Sequence, residues 1–228
     1  DADTDADAEA DPNADADTGA DADAALRRSP LRHKLEGPRL LRVSRDCLGR
    51  VYALGLAWRW TGEKKYAELA ESALTPFTRR VSEGGVTSLT PWGPFYEEYT
   101  AEVPTLVLNG KVFALCGLAD FVRVFPDHPL GRDLLEQGIE TLKHILPKFD
   151  LGYWSRYNLC VAGWYPELDP ATIGYQRLHG TQLEMMHALT GEAVFADYAR
   201  IFRTQDRPVN WIRSSRSKYR ALKKLNRV

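Results

Sequence analysis

From about Leu40 onward, apolar residues recur at the three-to-four spacing of helices, and two stretches break the rhythm. Residues 47–60 carry Leu48, Val51, Tyr52, Leu54, Leu56 and Trp58, then meet Thr61-Gly62-Glu63. A glycine there ends one helix and opens a turn. Residues 64–77 continue with Tyr66, Leu69, Ala70, Ala73 and Leu74 on one side, which predicts a helical hairpin. Residues 185–202 repeat the design around Thr190-Gly191-Glu192. The stretches WRWTGEKKYAELAESAL and HALTGEAVFADYARIF therefore form a weak internal repeat. Between them, residues 106–125 are apolar nearly all round, so that helix is expected to be buried on several sides. Residues 130–146 read as its amphipathic partner. The pattern predicts an all-α fold: an (α/α) toroid-like array of helical hairpins, complete or incomplete. Aromatic-rich loops or short β-hairpins would gather at one end.

The two irregular stretches, residues 84–102 and 150–175, are rich in Gly, Pro and aromatics. Loops carried on a rigid helical scaffold are where sites usually sit. The first reads Trp92-Gly93-Pro94-Phe95-Tyr96-Glu97-Glu98-Tyr99. The second offers Tyr153, Trp154, Arg156, Tyr157, Asn158, Trp164 and Tyr165, then Tyr175, Arg177 and His179. Aromatic faces beside polar groups suit a carbohydrate, whose C–H faces stack on rings while its hydroxyls find hydrogen-bond partners. The same rings would also serve to pack the loops onto the helices.

Charge sharpens this picture. The first 25 residues hold ten carboxylates and no basic residue. Without them, 21 acidic residues face 30 basic ones, so the body of the chain is positive and favours anionic partners. The Asp-Ala run predicts a disordered tail over residues 1–30. It lacks the Gly and the bidentate acid of a calcium loop at the required positions, so no metal site is expected there. Residues 31–212 are expected to form the helical domain and 213–228 a basic tail. The tail holds Arg213, Arg216, Lys218, Arg220, Lys223, Lys224 and Arg227, with no acid. Cys47, Cys116 and Cys160 form no CxxC pair, and no disulfide framework is expected. No apolar run reaches membrane-spanning length, no cofactor motif is seen, and nucleic-acid motifs are absent. No secretory signal is visible, which slightly favours the cytoplasm for this stretch of sequence.

Three separated stretches carry a family resemblance. FYEEYTAEVPTLVLNG, from Phe95 to Gly110, is similar to the Glu-Glu-Tyr…Val-Leu-Asn-Gly stretch of D-glucuronyl C5-epimerases. LPKFDLGYWSRYNL resembles the family's Asp-x-Gly…Tyr-Asp-Leu segment, and YQRLHGTQL its Tyr-His-x-x-His-x-x-Gln-Leu segment. The resemblance implies a toroid-like helical catalytic domain that inverts C5 of a uronic acid within a polysaccharide. Residue by residue, it implies catalytic roles for Glu98, Tyr99, Tyr157 and Tyr175. Tyr157 and Tyr175 would be the proton-transfer pair, and Tyr99 and Glu98 would bond or polarise the sugar. His179, Arg177, Arg156, Arg50 and Trp154 are candidate substrate-binding residues, and Asn109 a candidate organiser of its loop. Animal members read Tyr-Asp-Leu-Arg where this chain reads Tyr157-Asn158-Leu159-Cys160, so the cation is expected from Arg156, Arg177 or Arg50. A β-rich region found in those members has no counterpart before Leu40, and a homodimer or partner chain is expected to supply that wall.

The residue types fit the reaction. C5–H lies next to a carboxylate and is weakly acidic, so inversion needs a base on one face, an acid on the other and neutralisation of the carboxylate. A phenol serves either role if its neighbours move its pKa from about 10. Two other readings remain open: a polysaccharide lyase that shares the C5 proton abstraction, and an acidic-glycan-binding module without catalysis.

Overall fold

The computed structural model describes residues 53–227; Arg50, Cys47 and the acidic run lie outside them. The fold is all-α, a toroid-like array of helical hairpins with one small antiparallel hairpin of strands. Residues 53–61 are helical (α1) and turn at Gly62, whose φ of 70° suits a residue without Cβ. The return helix, α2, spans Lys64–Ser72 and is shorter than expected, because Thr75–Thr78 tightens into a 3₁₀ turn with Pro76 inside it. Strands β1 (Thr87–Thr90) and β2 (Gly93–Tyr96) fill the first irregular stretch, with Thr87 opposite Tyr96 and Thr90 opposite Gly93.

Helix α3 (Leu108–Val124) is the central element. Leu108, Val112, Leu115, Leu118 and Phe121 are all essentially inaccessible, as its all-round apolar pattern requires. Helix α4 (Pro129–Ile145) returns along it, started by Pro129 and by His128, whose Nδ1 accepts from the Gly131 N–H. The second hairpin joins α5 (Ile173–Thr190) to α6 (Ala193–Gln205). Gly191, at φ 74°, closes α5 in the left-handed conformation. The sequence pattern locates this hairpin from residue 185; α5 begins twelve residues earlier, where Thr172 caps it by accepting from the Tyr175 N–H. Helix α7 (Pro208–Lys224) then runs across residue 213, where a separate basic tail was expected to begin.

One apolar core joins these parts. Phe95 and Tyr96 of β2 pack with Leu115 and Leu118 of α3, Leu142 and Ile145 of α4, Leu183 and Met186 of α5, and Phe195 and Phe202 of α6. The Tyr96 hydroxyl donates to the Leu134 carbonyl at 2.6 Å, so its polar end is satisfied inside the core. Lys111 is fully buried. Its ammonium donates to the Pro94 carbonyl at 3.0 Å and lies 3.8 Å from the Tyr96 ring centre, and burial holds its pKa well below the usual lysine value. Cys116 and Cys160 are free thiols.

Helices α3 and α4 approach closely at Gly138. A Cβ there would stand 2.5 Å from Leu115 Cδ2 and 2.8 Å from Tyr96 Cε2. Gly138→Ala is therefore expected to destabilise the fold by about 1–3 kcal/mol despite its better helix propensity. Urea unfolding measures this; an unchanged or higher midpoint would mean that the helices can separate freely.

Candidate active site

Two adjacent glutamates leave β2 and turn in different directions. Glu97 is buried, and burial raises its pKa. Its Oε2 accepts from Thr105 Oγ1 at 2.8 Å and from the Leu106 N–H at 2.9 Å. Leu106 sits at φ 51°, a left-handed conformation that costs a leucine roughly 1–2 kcal/mol. The Glu97 bond holds that strained residue in place immediately before α3. Glu98 points the other way, to the first turn of α3. Asn109 Nδ2 approaches its Oε2 at 3.5 Å. Gly110 makes this approach feasible, since a Cβ there would stand 2.6 Å from Glu98 Cβ.

From Glu98 a hydrogen-bonded chain runs to the second irregular stretch. Tyr99 stands between the Glu98 carboxylate and the Tyr157 hydroxyl and is hydrogen-bonded to both. Burial is the largest influence on all three groups and raises each pKa; for the phenols the nearby negative charges add to it. Tyr157 meets Tyr175 edge-to-face, with ring centres 5.0 Å apart. The structure thus brings together Glu98, Tyr99, Tyr157 and Tyr175, which lie up to 77 positions apart in sequence. The two outer rings are in contact, and a sugar ring does not fit between them in this arrangement.

The second stretch is pinned from both sides. Tyr157 N–H donates to the Asp169 carbonyl at 2.9 Å, and the Leu108 N–H at the start of α3 donates to the Tyr157 carbonyl at 3.3 Å. Trp154 is wholly buried, with its indole N–H donating to the Ala171 carbonyl at 2.8 Å. It anchors the loop and offers no face to a ligand. Beneath it, Gln176 accepts from the Ser155 N–H and hydroxyl. Ser155 Oγ lies 2.8 Å from His179 Nδ1. His179 is completely enclosed, and burial lowers its pKa to about 3, so it is a neutral imidazole and not a cation. Its Nε2, Asn109 Oδ1 and Gln182 Oε1 are buried without partners among the described residues.

The other expected cations do not gather at the tyrosines. Arg177 forms an ion pair with Asp206 at 2.8 Å and lies over the Trp211 ring. Arg156 reaches the Glu167 carbonyl at 3.4 Å. Arg50 is outside the described residues. The nearest cations come instead from α7 and its end. Lys218 Nζ lies 5.0 Å from the Tyr157 ring centre and pairs with Asp169 at 2.6 Å, and Asp169 also accepts from Tyr165. A cavity of about 50 Å³ lies beside Tyr99 and Tyr157, bordered by Trp164, Leu225 and Arg227. Sequence reading missed the partners Tyr165, Asp169 and Gln176. The only signal was the density of polar and aromatic residues in that loop. Among the described residues no cluster of three or more His, Cys, Asp or Glu gathers at metal-binding spacing, and no helix is long and apolar enough to cross a membrane.

The fold and site define an all-α hairpin array with tyrosines and a carboxylate gathered at its loop end, and comparison with known proteins places it in a family. The sequence pattern described as "D-glucuronyl C5-epimerase C-terminus" matches residues 49–204. The chain belongs to that family. It is 26% identical to a D-glucuronyl C5-epimerase of Caenorhabditis elegans over 182 residues, 74% of this chain and 28% of the worm protein. It is also 26% identical to an uncharacterised protein of Methanocaldococcus jannaschii over 178 residues, 76% of this chain and 54% of the archaeal protein. The chain therefore spans about half the length of one relative and about a quarter of the other.

The neutral imidazole of His179 makes stability pH-dependent. The unfolded chain protonates it near pH 6.5 and the folded chain only near 3. Between those values the unfolded state holds the extra proton, so stability falls as pH falls, by up to about 1.4 kcal/mol per pH unit from this group. Urea titrations from pH 7 to 4 should show a shallower slope for His179→Gln than for the parent. Equal slopes would remove the assignment.

Proposed function

We propose that this chain inverts C5 of a uronate residue within a polysaccharide, with tyrosines carrying the proton. The observation that supports this is the contiguous row Tyr157, Tyr99 and Glu98, with Tyr175 against its outer end. A base at C5 must pass a proton inward. Tyr157 can accept the C5 proton if its own proton moves to Tyr99 and the Tyr99 proton moves to Glu98. The C5–H electron pair then enters the substrate's carboxylate system. Tyr175, partly open to solvent, delivers a proton to C5 from the opposite face and regains one from water. This relay explains why a phenol whose pKa is raised can still act as a base: the final acceptor is a carboxylate. Because Tyr157 and Tyr175 touch, the sugar must part them. The 50 Å³ cavity is also far below the roughly 300 Å³ of a ligand site, so Leu225 and Arg227 must move as well.

Glucuronate and its C5 epimer in a glycan chain are the substrate pair that the family suggests. A lyase would share the first half of the reaction and then expel the C4 substituent, leaving an unsaturated product that absorbs in the ultraviolet. Incubation with uronate polysaccharides in deuterated water should place deuterium at C5 without chain shortening. Absence of label above a no-enzyme control across a broad panel would refute the proposal, and the ultraviolet chromophore would redirect it to the lyase. Tyr157→Phe should lower exchange by about 10²–10⁴-fold. The relay needs ionised Glu98, whose pKa burial raises above its ordinary value near 4.5. Exchange should therefore fail on acidification at a pH above the normal carboxylate range. In Glu98→Gln the rate should be low throughout and that acid limb lost.

A further inference from the structure

Helix α7 lies beyond the family-matched segment, yet it is built against the candidate site. Its inner face carries Ser214 and Ala221, both buried, and Lys218, which pairs with Asp169. Lys224 Nζ donates to the Tyr165 carbonyl at 2.9 Å, and Leu225 and Arg227 border the tyrosine cavity. The outer face is different. Arg213, Arg216, Arg220 and Lys223 recur at spacings of three and four, which places them on one side of a helix. All four are exposed, and none pairs with a described acidic side chain. Arg213 is held over the Tyr153 ring at 3.6 Å, so the row begins at the aromatic loop. From Arg213 to Lys223 it runs about 15 Å, a length that several successive pyranoses cover. A groove of about 260 Å³ separates α7 from residues 166–168, with Arg220 and Lys224 on one wall. Glu167 is the acidic side chain on the other wall.

Apart from Arg213 over Tyr153, the row has no charge partner among the described residues. Like charges at three-to-four spacing repel and weaken the helix by a few tenths of a kcal/mol for each neighbouring pair. A ligand of opposite and repeating charge removes that repulsion. We infer that the outer face of α7 binds the polyuronate chain itself, as an electrostatic rail that leads its carboxylates to the tyrosine cavity. The partner is a linear acidic glycan, chosen over a lipid surface because the row is straight and the residues that follow it, Leu225 and Arg227, border the tyrosine cavity. The inference rests on the reading of the site as a uronate site, but binding tests it separately from chemistry.

The experiment measures binding of size-fractionated alginate oligouronates to the full chain by calorimetry, with a neutral glucan of matched length as control. Two variants alter the row: R216Q/R220Q/K223Q and R216E/R220E/K223E. All three positions are exposed, and circular dichroism checks that the fold is kept. The parent should bind the oligouronate, more weakly at high salt, and not the glucan. The neutral variant should lose about tenfold in affinity, and the reversed variant more. Parent-like affinity in the reversed variant overturns the rail, as does tighter binding to phosphatidylserine vesicles than to the oligouronate. Tyr157→Phe should keep the affinity while losing C5 exchange. If exchange instead survives Tyr157→Phe, the catalytic assignment fails and the rail is judged on affinity alone.

Discussion

The placement of the candidate site depends on one buried carboxylate. Glu97 leaves the end of β2 inside the core, where an ionised group without partners costs several kcal/mol. Thr105 and the Leu106 N–H give its Oε2 hydrogen bonds, and its Oε1 is left without a partner among the described residues. These bonds fold residues 97–107 into a fixed loop, hold Leu106 in its left-handed conformation, and set where α3 begins. Since α3 begins there, Asn109 and Gly110 meet Glu98 and the Leu108 N–H meets Tyr157. One structural glutamate thus positions its chemically suited neighbour.

The scaffold and the site make opposite demands on polar groups. In the scaffold several buried polar atoms are paired, Tyr96 to Leu134, Trp154 to Ala171, Gln176 to Ser155 and Phe202, while Glu97 Oε1 has no partner among the described residues. Around the tyrosines the pairing is incomplete, with Asn109 Oδ1, Gln182 Oε1 and His179 Nε2 lacking protein partners among the described residues. Each such group costs roughly 1–3 kcal/mol unless water or a ligand satisfies it. Tyr157 is enclosed as well, and burial keeps its phenol protonated.

Charge is distributed by the same logic. The site interior holds a carboxylate and phenols, with neutral His179 beneath. Positive charge is supplied from α7, a helix outside the family-matched segment. Lys218 faces inward and is neutralised by Asp169, while the outer row stays unpaired among the described residues. Arg156 and Arg177, which sequence alone suggested as substrate cations, are instead committed to Glu167 and Asp206. Both lie on the outer side of their elements, and an arginine within reach of a surface acceptor takes it.

Much of the fold was legible because helical burial has a period. The all-round apolar run around Leu115, the Thr-Gly-Glu turns at Gly62 and Gly191, and the aromatic content of both irregular stretches are local signals that neighbouring residues fix. The members of the cluster were nominated by the resemblance of three ordered stretches to the D-glucuronyl C5-epimerase family, with which their residue types agree. Sequence could not say that Glu97 is the buried anchor and Glu98 the site member, since adjacent identical side chains differ only in what surrounds them. Nor could it show that Trp154 is wholly enclosed, that His179 is neutral, or that the basic residues after Arg213 form a helix lying across the tyrosines. Hydrogen-bond direction, desolvation and ion pairing depend on groups tens of residues away, and only the tertiary structure brings those groups into contact.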